Sequence, residues 1–134
     1  MNDFNAKLIE EFRENGGKVG GMFEKSSLLL LHHKGAKSGV ERISPLAYRK
    51  VGDAYAVFGS KGGGPTNPDW YHNVQANPRT KVEVGSETID VVARVASGDE
   101  RDRIWEDQKR AITAFADYET KTDRQIPVVI LDPA

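Results

Sequence analysis

Two tight turns between short apolar runs constrain the fold of this chain more than any other feature of its sequence. The turn pairs are Gly52-Asp53 and Gly85-Ser86. The first joins predicted strands at residues 42–51 and 54–59, and the second joins residues 81–84 to a return strand on which Ile89, Val91 and Ala93 share one face. Because such turns connect antiparallel neighbours, the sheet is predicted to be mainly antiparallel.

Two further strands and about three helices complete a predicted α+β fold. The strands are expected at residues 27–33 and 127–131, and the helices at residues 3–14, from Asn67-Pro68 to just before Pro78, and from a capping box at Ser97 and Glu100 through residue 118. Pro45 has no amide proton to donate, so its strand must carry a bulge or lie at an edge there. Six curved strands suit a small barrel, and 134 residues suit a single domain spanning residues 1–134.

The composition excludes several classes of function. The chain has no cysteine, and the adjacent histidines His32 and His33 point to opposite faces of their strand, so we expect no metal site. A net charge of −1 provides no basic excess for nucleic acid. The aliphatic run Leu28–Leu31 is too short to span a bilayer, and the N-terminus does not read as a secretory signal. We therefore expect a cytoplasmic protein, with at most weak peripheral membrane contact through its acidic first helix.

The expected strand order brings two basic, glycine-containing loops together. If strand 27–33 pairs with strand 42–51, the loops at residues 34–41 and 60–66 leave the same edge of the sheet, where the helix at Asn67 also begins. The corner carries Lys34, Lys37, Arg42 and Lys61. Helix starts and glycine amides bind anions, so the sequence predicts a site for a phosphorylated ligand. The alternative interpretation is a set of solvated surface lysines.

Aromatic side chains near this corner indicate a wall for a flat ring. Trp70 and Tyr71 lie one turn into the short helix, while Phe115 and Tyr118 share a face of the long one. A planar cofactor would need such neighbours, although core packing would use them equally well. The sequence has no Walker A loop, no dinucleotide fingerprint and no nucleophile elbow, so these common catalytic motifs do not apply.

A series of short motifs resembles the deazaflavin-dependent nitroreductase family along nearly the whole chain. In order, the motifs are residues 11–13 with 15–17, 28–31, 35–39, Arg42, Pro45-Leu46, 60–63, Asn67-Pro68 with Trp70-Tyr71 and Asn73, Ala76-Asn77-Pro78, and Thr122-Asp123-Arg124 with Ile126-Pro127. Each motif alone is common. Their order and spacing together carry the resemblance.

The resemblance implies a split β-barrel of the flavin-reductase type that binds coenzyme F420. It also implies hydride transfer from the reduced deazaflavin to an organic acceptor such as a quinone or a nitroaromatic compound. Lys37 and Arg42 are implied to hold the phosphate and acidic tail of the cofactor. The implied cofactor-binding set is Lys37, Ser38, Gly39, Arg42, Pro45, Ser60, Lys61, Gly62, Gly63, Trp70 and Asn73.

The late helix is implied to line the acceptor pocket with Ile112, Phe115 and Tyr118. Some members of the family carry tyrosines at these positions, and here only Tyr118 keeps a hydroxyl. Tyr118 is therefore the predicted catalytic group, which would hydrogen-bond or protonate the acceptor. Ala36 stands where some members carry arginine, which weakens the expected grip on the acidic tail unless Lys34 substitutes.

Two other functions stay open from the sequence. FMN also carries one phosphate, so an FMN-dependent reductase of the same barrel type would need a similar corner. A non-catalytic F420 carrier or binding module would explain why residues 112 and 115 lack hydroxyls.

Overall fold

The structure is a computed structural model that describes residues 3–16, 28–60 and 66–134. Its elements, in chain order, are α1 (Asp3–Glu14), β1 (Leu28–Lys34), β2 (Glu41–Val51), β3 (Ala54–Phe58), α2 (Asp69–Ala76), β4 (Arg79–Val84), β5 (Glu87–Val95), α3 (Gly98–Ala111), α4 (Ala114–Thr120) and β6 (Val128–Pro133). Each predicted strand is present, with ends that differ by one or two residues.

The six strands close into an antiparallel barrel in the order β1-β2-β3-β6-β5-β4. The two hairpins are those predicted: β2 pairs with β3, and β4 pairs with β5. At their turns Gly52 and Gly85 both have φ of 60°, a region that side chains with a Cβ avoid. The predicted barrel fold is therefore confirmed.

Strand β2 is longer than either neighbour that it pairs with, and this explains how it accommodates Pro45. Residues 41–47 pair with β1, and residues 48–51 pair with β3. Pro45 lies opposite Leu30 in an unbroken register, within the half of β2 that has a strand on one side only. The predicted local edge is therefore present, and no bulge is needed at this position.

Apolar side chains fill the barrel interior and cover its outer surface in two places. The interior cluster combines strand residues such as Leu29, Leu31 and Val57 with Trp70 and Val74 of α2, so α2 closes one end of the barrel. Outside, Leu8, Ile9 and Phe12 of α1 pack on Leu28 and Leu30 of β1. The helices α3 and α4 pack over alternate residues of β3 and β6.

The long late helix predicted from the sequence is in fact two helices. α3 ends at Ala111, where the amide of Ile112 still donates to the carbonyl of Gln108, and α4 begins at Ala114. In one straight helix Phe115 would lie about 15 Å along the axis from Trp105, ten residues away. The break instead brings the two ring centroids within 6.1 Å, so burial of Phe115 against α3 overrides the continuous helical pattern.

The predicted side-chain caps of α3 and α2 are absent. Ser97 is the N-cap residue of α3, as predicted, but its side chain forms no capping hydrogen bond, and Glu100 is bound by Arg94 with nitrogen–oxygen distances of 2.7 and 3.2 Å. α2 begins at Asp69 with Pro68 as its N-cap residue, so Pro68 is not the first helical residue. The side-chain oxygen of Asn67 accepts a hydrogen bond from Arg124 at 2.7 Å, and Asn67 does not cap the helix.

Candidate active site

A cavity of about 560 Å³ lies where the loop after β1 meets α2. The loop contributes the residues from Gly35 to Ser38, β2 contributes Arg42, and α2 contributes Asp69, His72 and Asn73. This contact confirms that the loop at residues 34–41 meets the short helix. The other predicted loop cannot be placed in the same way, because Lys61, Gly62 and Gly63 lie outside the described residues.

Hydrogen bonds within the loop and to α2 define the shape of this cavity wall. The amide of Gly39, whose φ is 70°, donates to the carbonyl of Gly35, and the amide of Gly35 donates to the carbonyl of Val40. The amide of Ala36 donates to Oδ1 of Asn73 at 3.0 Å. The amides of Lys37 and Ser38 have no acceptor among the residues that the structure describes, so they are available to a ligand.

Two cations that line the cavity have no counterion among the residues that the structure describes. Lys37 and Arg42 take part in no ion pair within the described part of the chain, although Asp69 lines the same cavity. Exposed lysines and arginines lose little by staying unpaired, but two of them beside available backbone amides form a surface suited to an anion. The corner predicted from the strand order therefore has the chemistry of an anion site.

Behind this wall lies His33, for which the sequence predicts only a structural role. The residue is 4% exposed, its Nδ1 lies 3.0 Å from Nδ2 of Asn73, and its Nε2 lies 2.9 Å from Oγ of Ser44. Burial, and then the charge of Arg42, lower the pKa of His33 below the ordinary imidazole value. The histidine is therefore neutral at physiological pH and is held on both sides.

The neighbouring His32 points the other way, as predicted, and contacts two carboxylates. Its Nδ1 lies 2.9 Å from Glu41, and its Nε2 lies 2.8 Å from Glu83, which Arg13 of α1 also binds through two hydrogen bonds. These contacts join α1 to β4 through a charged network. Among the described residues no cluster of three histidine, cysteine or carboxylate side chains could hold a metal ion.

Arg124 holds both ends of the segment that contains the predicted glycine loop. Its guanidinium donates to the carbonyls of Gly59 at 3.0 Å and Ser60 at 2.9 Å, and to Oδ1 of Asn67 at 2.7 Å. Ser60 is buried at the end of β3, and Gly59 lies so close to Pro127 that an added Cβ would be 2.7 Å from its Cγ. Arg124 therefore links the end of β3 to the start of α2.

The outer face of β2 lies between the two helical layers that cover the barrel. Pro45 and Ala47 are partly exposed on this strand, and Ala47 packs against both the α1 cluster and the α3–α4 cluster. Tyr118 packs at the edge of the α3–α4 cluster, with its ring 5.3 Å from that of Phe115. A flat ligand on this face would thus lie between α1 and the α3–α4 layer.

Trp70 and Phe115, which are predicted to lie at the site, belong to the hydrophobic core. Trp70 is 5% exposed within the barrel interior and stacks edge-on against Tyr71. Phe115 is 7% exposed between Phe58 and Trp105, and Ile112 is partly buried beside the same cluster. Trp70 and Phe115 therefore offer little surface to a ligand in this conformation.

A closed six-stranded antiparallel barrel with a cationic corner beside α2 places the fold in the class of split barrels of the flavin-reductase type. The chain belongs to the F420H(2)-dependent quinone reductase family, whose sequence model it matches over residues 6–133. It is accordingly an F420-dependent oxidoreductase. The family is thus that of the quinone reductases, which is close to but not the same as the nitroreductase family that the motifs resemble.

Individual relatives agree with this assignment. An F420H(2)-dependent quinone reductase of Mycobacterium tuberculosis is 36% identical over 124 residues, which cover 90% of this chain and 83% of that protein. A solved structure of an F420-H2 dependent reductase, FDR-A, is 42% identical with a TM-score of 0.71 and covers 78% of this chain and 93% of that one. A second solved structure, of a domain-swapped dimer, is 38% identical with a TM-score of 0.74 and covers 95% of this chain and 93% of that one. Separately, none of the described helices has the length and apolar character to span a membrane.

Two residues at the site were missed by reasoning from the sequence. The sequence indicates no functional role for His33, and Arg124 belongs only to a short motif that resembles the family. Both act through partners far away in the chain, His33 through Asn73 and Arg124 through Gly59 and Asn67. Spacing along the sequence carries no signal for contacts of this kind.

Proposed function

We propose that this chain reduces a quinone with F420H2, and that residues 1–134 form one domain for this purpose. The phosphate and acidic tail of the cofactor bind the loop at residues 35–39 together with Arg42. The deazaflavin ring lies on the outer face of β2 near Pro45 and Ser60; Lys61, Gly62 and Gly63, which the family resemblance assigns to the same ring, lie outside the described residues. The acceptor lies beside α4, within reach of Tyr118.

The observation that carries this proposal is the pair of cations, Lys37 and Arg42, which form no ion pair with any described residue. They line a cavity whose wall also offers two backbone amides. A hydrogen bond to a charged group contributes about 1.5–3 kcal/mol. Two or three such bonds are enough to hold a phosphorylated ligand at roughly micromolar concentration. The cavity chemistry therefore fits the anionic end of coenzyme F420.

The protein's own residues bind, orient and shield the reactants. Reduced F420 supplies two electrons and a proton equivalent as a hydride when it is bound. Orientation matters because transfer requires the donor and acceptor atoms to lie about 3–3.5 Å apart. Tyr118 is partly buried at the edge of an apolar cluster, from which its hydroxyl would donate a hydrogen bond or a proton to the oxygen of the acceptor.

The quinone is favoured over a nitroaromatic acceptor by the residues of the α3–α4 connection. Ile112 and Phe115 bring no hydroxyl to this region, and Phe115 is buried. Tyr118 alone remains to contact a polar group of the acceptor, which suits a quinone oxygen. A nitroaromatic compound is the alternative acceptor. The cytoplasmic location stays a prediction.

Titration of F420 fluorescence tests the cofactor site directly. Lys37→Ala and Arg42→Ala are each expected to raise the dissociation constant of F420 by about tenfold, since each removes one charge-assisted bond. Arg103→Ala, which removes an exposed arginine from α3, is the matched control and should bind as the wild type does. Equal affinity in all four proteins would overturn the site assignment.

A parallel titration with FMN and a turnover assay separate the remaining functions. The proposal expects F420 to bind more tightly than FMN, and steady oxidation of F420H2 by a quinone such as menadione. Protein that isolates with a flavin spectrum would favour the FMN-dependent reductase. Tight F420 binding without turnover of any quinone would favour the carrier.

A further inference from the structure

We propose that His33 is a positioning residue: acting through Asn73, it fixes the loop at residues 35–38 for the anionic end of the cofactor, and only while its ring is neutral. The inference rests on the proposed function for its effect on F420. Its structural part, the control of the loop by His33, stands separately.

The first link is between the loop and α2. The amide of Ala36 can only donate, so the atom of Asn73 that it meets at 3.0 Å is the acceptor, Oδ1. The other end of the same side chain, Nδ2, carries two hydrogens and points at His33. Asn73 is 7% exposed and both of its polar atoms are engaged within the protein. Asn73, expected from the resemblance to bind the cofactor, is thus placed to hold the loop.

The second link fixes the tautomer of His33. Because Nδ2 of Asn73 donates, Nδ1 of His33 must present its lone pair at 3.0 Å. The ring proton of the neutral histidine is then on Nε2, which donates to Oγ of Ser44 on β2 at 2.9 Å. The chain of hydrogen bonds runs from the loop through α2 and β1 to β2, next to Pro45. The Ala36 amide fixes the orientation of the Asn73 amide, and that orientation fixes the tautomer of His33.

Protonation of His33 breaks this chain whichever way Asn73 turns. A proton on Nδ1 would face the hydrogens of Nδ2, placing two donors about 3 Å apart. Turning the amide of Asn73 by half a rotation satisfies His33 but sets Nδ2 against the amide of Ala36, which is also a donor. If Asn73 turns, the loop loses its bond to Oδ1; if it does not turn, Asn73 loses the bond to His33 that orients it. The loop is held less firmly in both cases.

The charged groups around His33 keep the ring neutral in the ordinary range of pH. Burial is the largest influence and lowers the pKa of His33; Arg42 on β2 and His32 on β1 lower it further, while Asp69 on α2 opposes them. Loop control by His33 should therefore be complete near pH 7 and be lost only below the normal imidazole range, roughly pH 6.5.

The test measures the F420 dissociation constant against pH in a His72→Gln background, so that His33 is the one histidine beside this cavity among the described residues. With His33 present, affinity is expected to be constant from pH 8 to about 6.5 and to fall by about three- to tenfold at lower pH, the loss of one hydrogen bond. His33→Gln offers an acceptor and a donor without a titrating group, so its affinity should stay near that of the parent and not vary with pH. If the parent and the His33→Gln variant show the same dependence on pH, the proposal is overturned.

A measurement without cofactor keeps this result distinct from the proposed function. The hydrogen-exchange protection factor of the Ala36 amide should fall when His33 is protonated. The NMR shifts of the ring nitrogens report that protonation. In His33→Phe the protection factor should be low at every pH. If Ala36 is equally protected in wild type, His33→Gln and His33→Phe, His33 does not position the loop. If protection follows His33 but F420 fails to bind, the positioning role stands and the proposed function is wrong. The wild-type titration decides the question even where His33→Phe does not fold.

Discussion

Replacing Arg124 with methionine should destabilise the protein through the segment that frames the glycine loop. The guanidinium joins three places in the chain: the end of β3 at Gly59 and Ser60, the approach to α2 at Asn67, and its own position before β6. Methionine keeps most of the side chain's length and apolar stem but donates no hydrogen bond. The substitution therefore removes the connection and changes the packing little.

The size of the effect follows from the three hydrogen bonds that Arg124 makes to Gly59, Ser60 and Asn67, which set its lower limit. A buried bond to a charged group contributes about 1.5–3 kcal/mol, but Arg124 is partly exposed and water can replace some of each bond. At roughly 1 kcal/mol for each bond, the free energy of unfolding should fall by about 2–4 kcal/mol. With an m-value of about 2 kcal/mol/M, the urea midpoint should fall by about 1–2 M.

Urea denaturation followed by tryptophan fluorescence measures this shift, since Trp70 and Trp105 are both buried. Arg103→Met, at an exposed position of α3, is the matched control and should change the free energy of unfolding by no more than about 0.5 kcal/mol. F420 binding should also weaken in Arg124→Met, because the ends of the loop at residues 61–65 are no longer held. Equal midpoints for the two variants would refute the reasoning.

Three further predictions concern other parts of the molecule. Gly59→Ala should lower the free energy of unfolding by about 1–3 kcal/mol, because the new Cβ would meet Pro127; a thermal melt equal to that of the wild type would contradict this. Hydrogen bonds, first from Arg13 and then from His32, hold the pKa of Glu83 below its usual value, so the stability that Glu83 provides is full above about pH 4.3 and is lost as the pH falls through the lowered pKa. Glu83→Gln should therefore be less stable than wild type at pH 7, with the difference disappearing in strong acid; a constant difference across this range would exclude the interpretation. Tyr118→Phe should lower kcat for a quinone by about tenfold or more while F420 binding is unchanged, as steady-state assays and titration would show, and an unchanged kcat would remove Tyr118 from the reaction.

The strands, the two hairpins and the approach of Lys37 and Arg42 to α2 could all be predicted from the amino-acid sequence, whereas the place of Lys61 stays a prediction. These follow from local rules: glycine at positive φ in the turns at residues 52 and 85, alternation of apolar residues along the strands, and short connections between neighbours. The antiparallel pairing expected for β1 and β2 predicts that Lys37 and Arg42 lie near α2, as the structure shows.

The partners of the polar side chains and the break in the late helix depend instead on the folded barrel. Asn67 binds Arg124, Glu100 binds Arg94, and Phe115 turns back onto Trp105, each against a local preference. The same holds for His33, whose tautomer is set by an asparagine forty positions away. Local propensities are worth about 1 kcal/mol, so a buried aromatic contact or a charge-assisted bond between distant residues overrides them, and such contacts exist only once the barrel has closed.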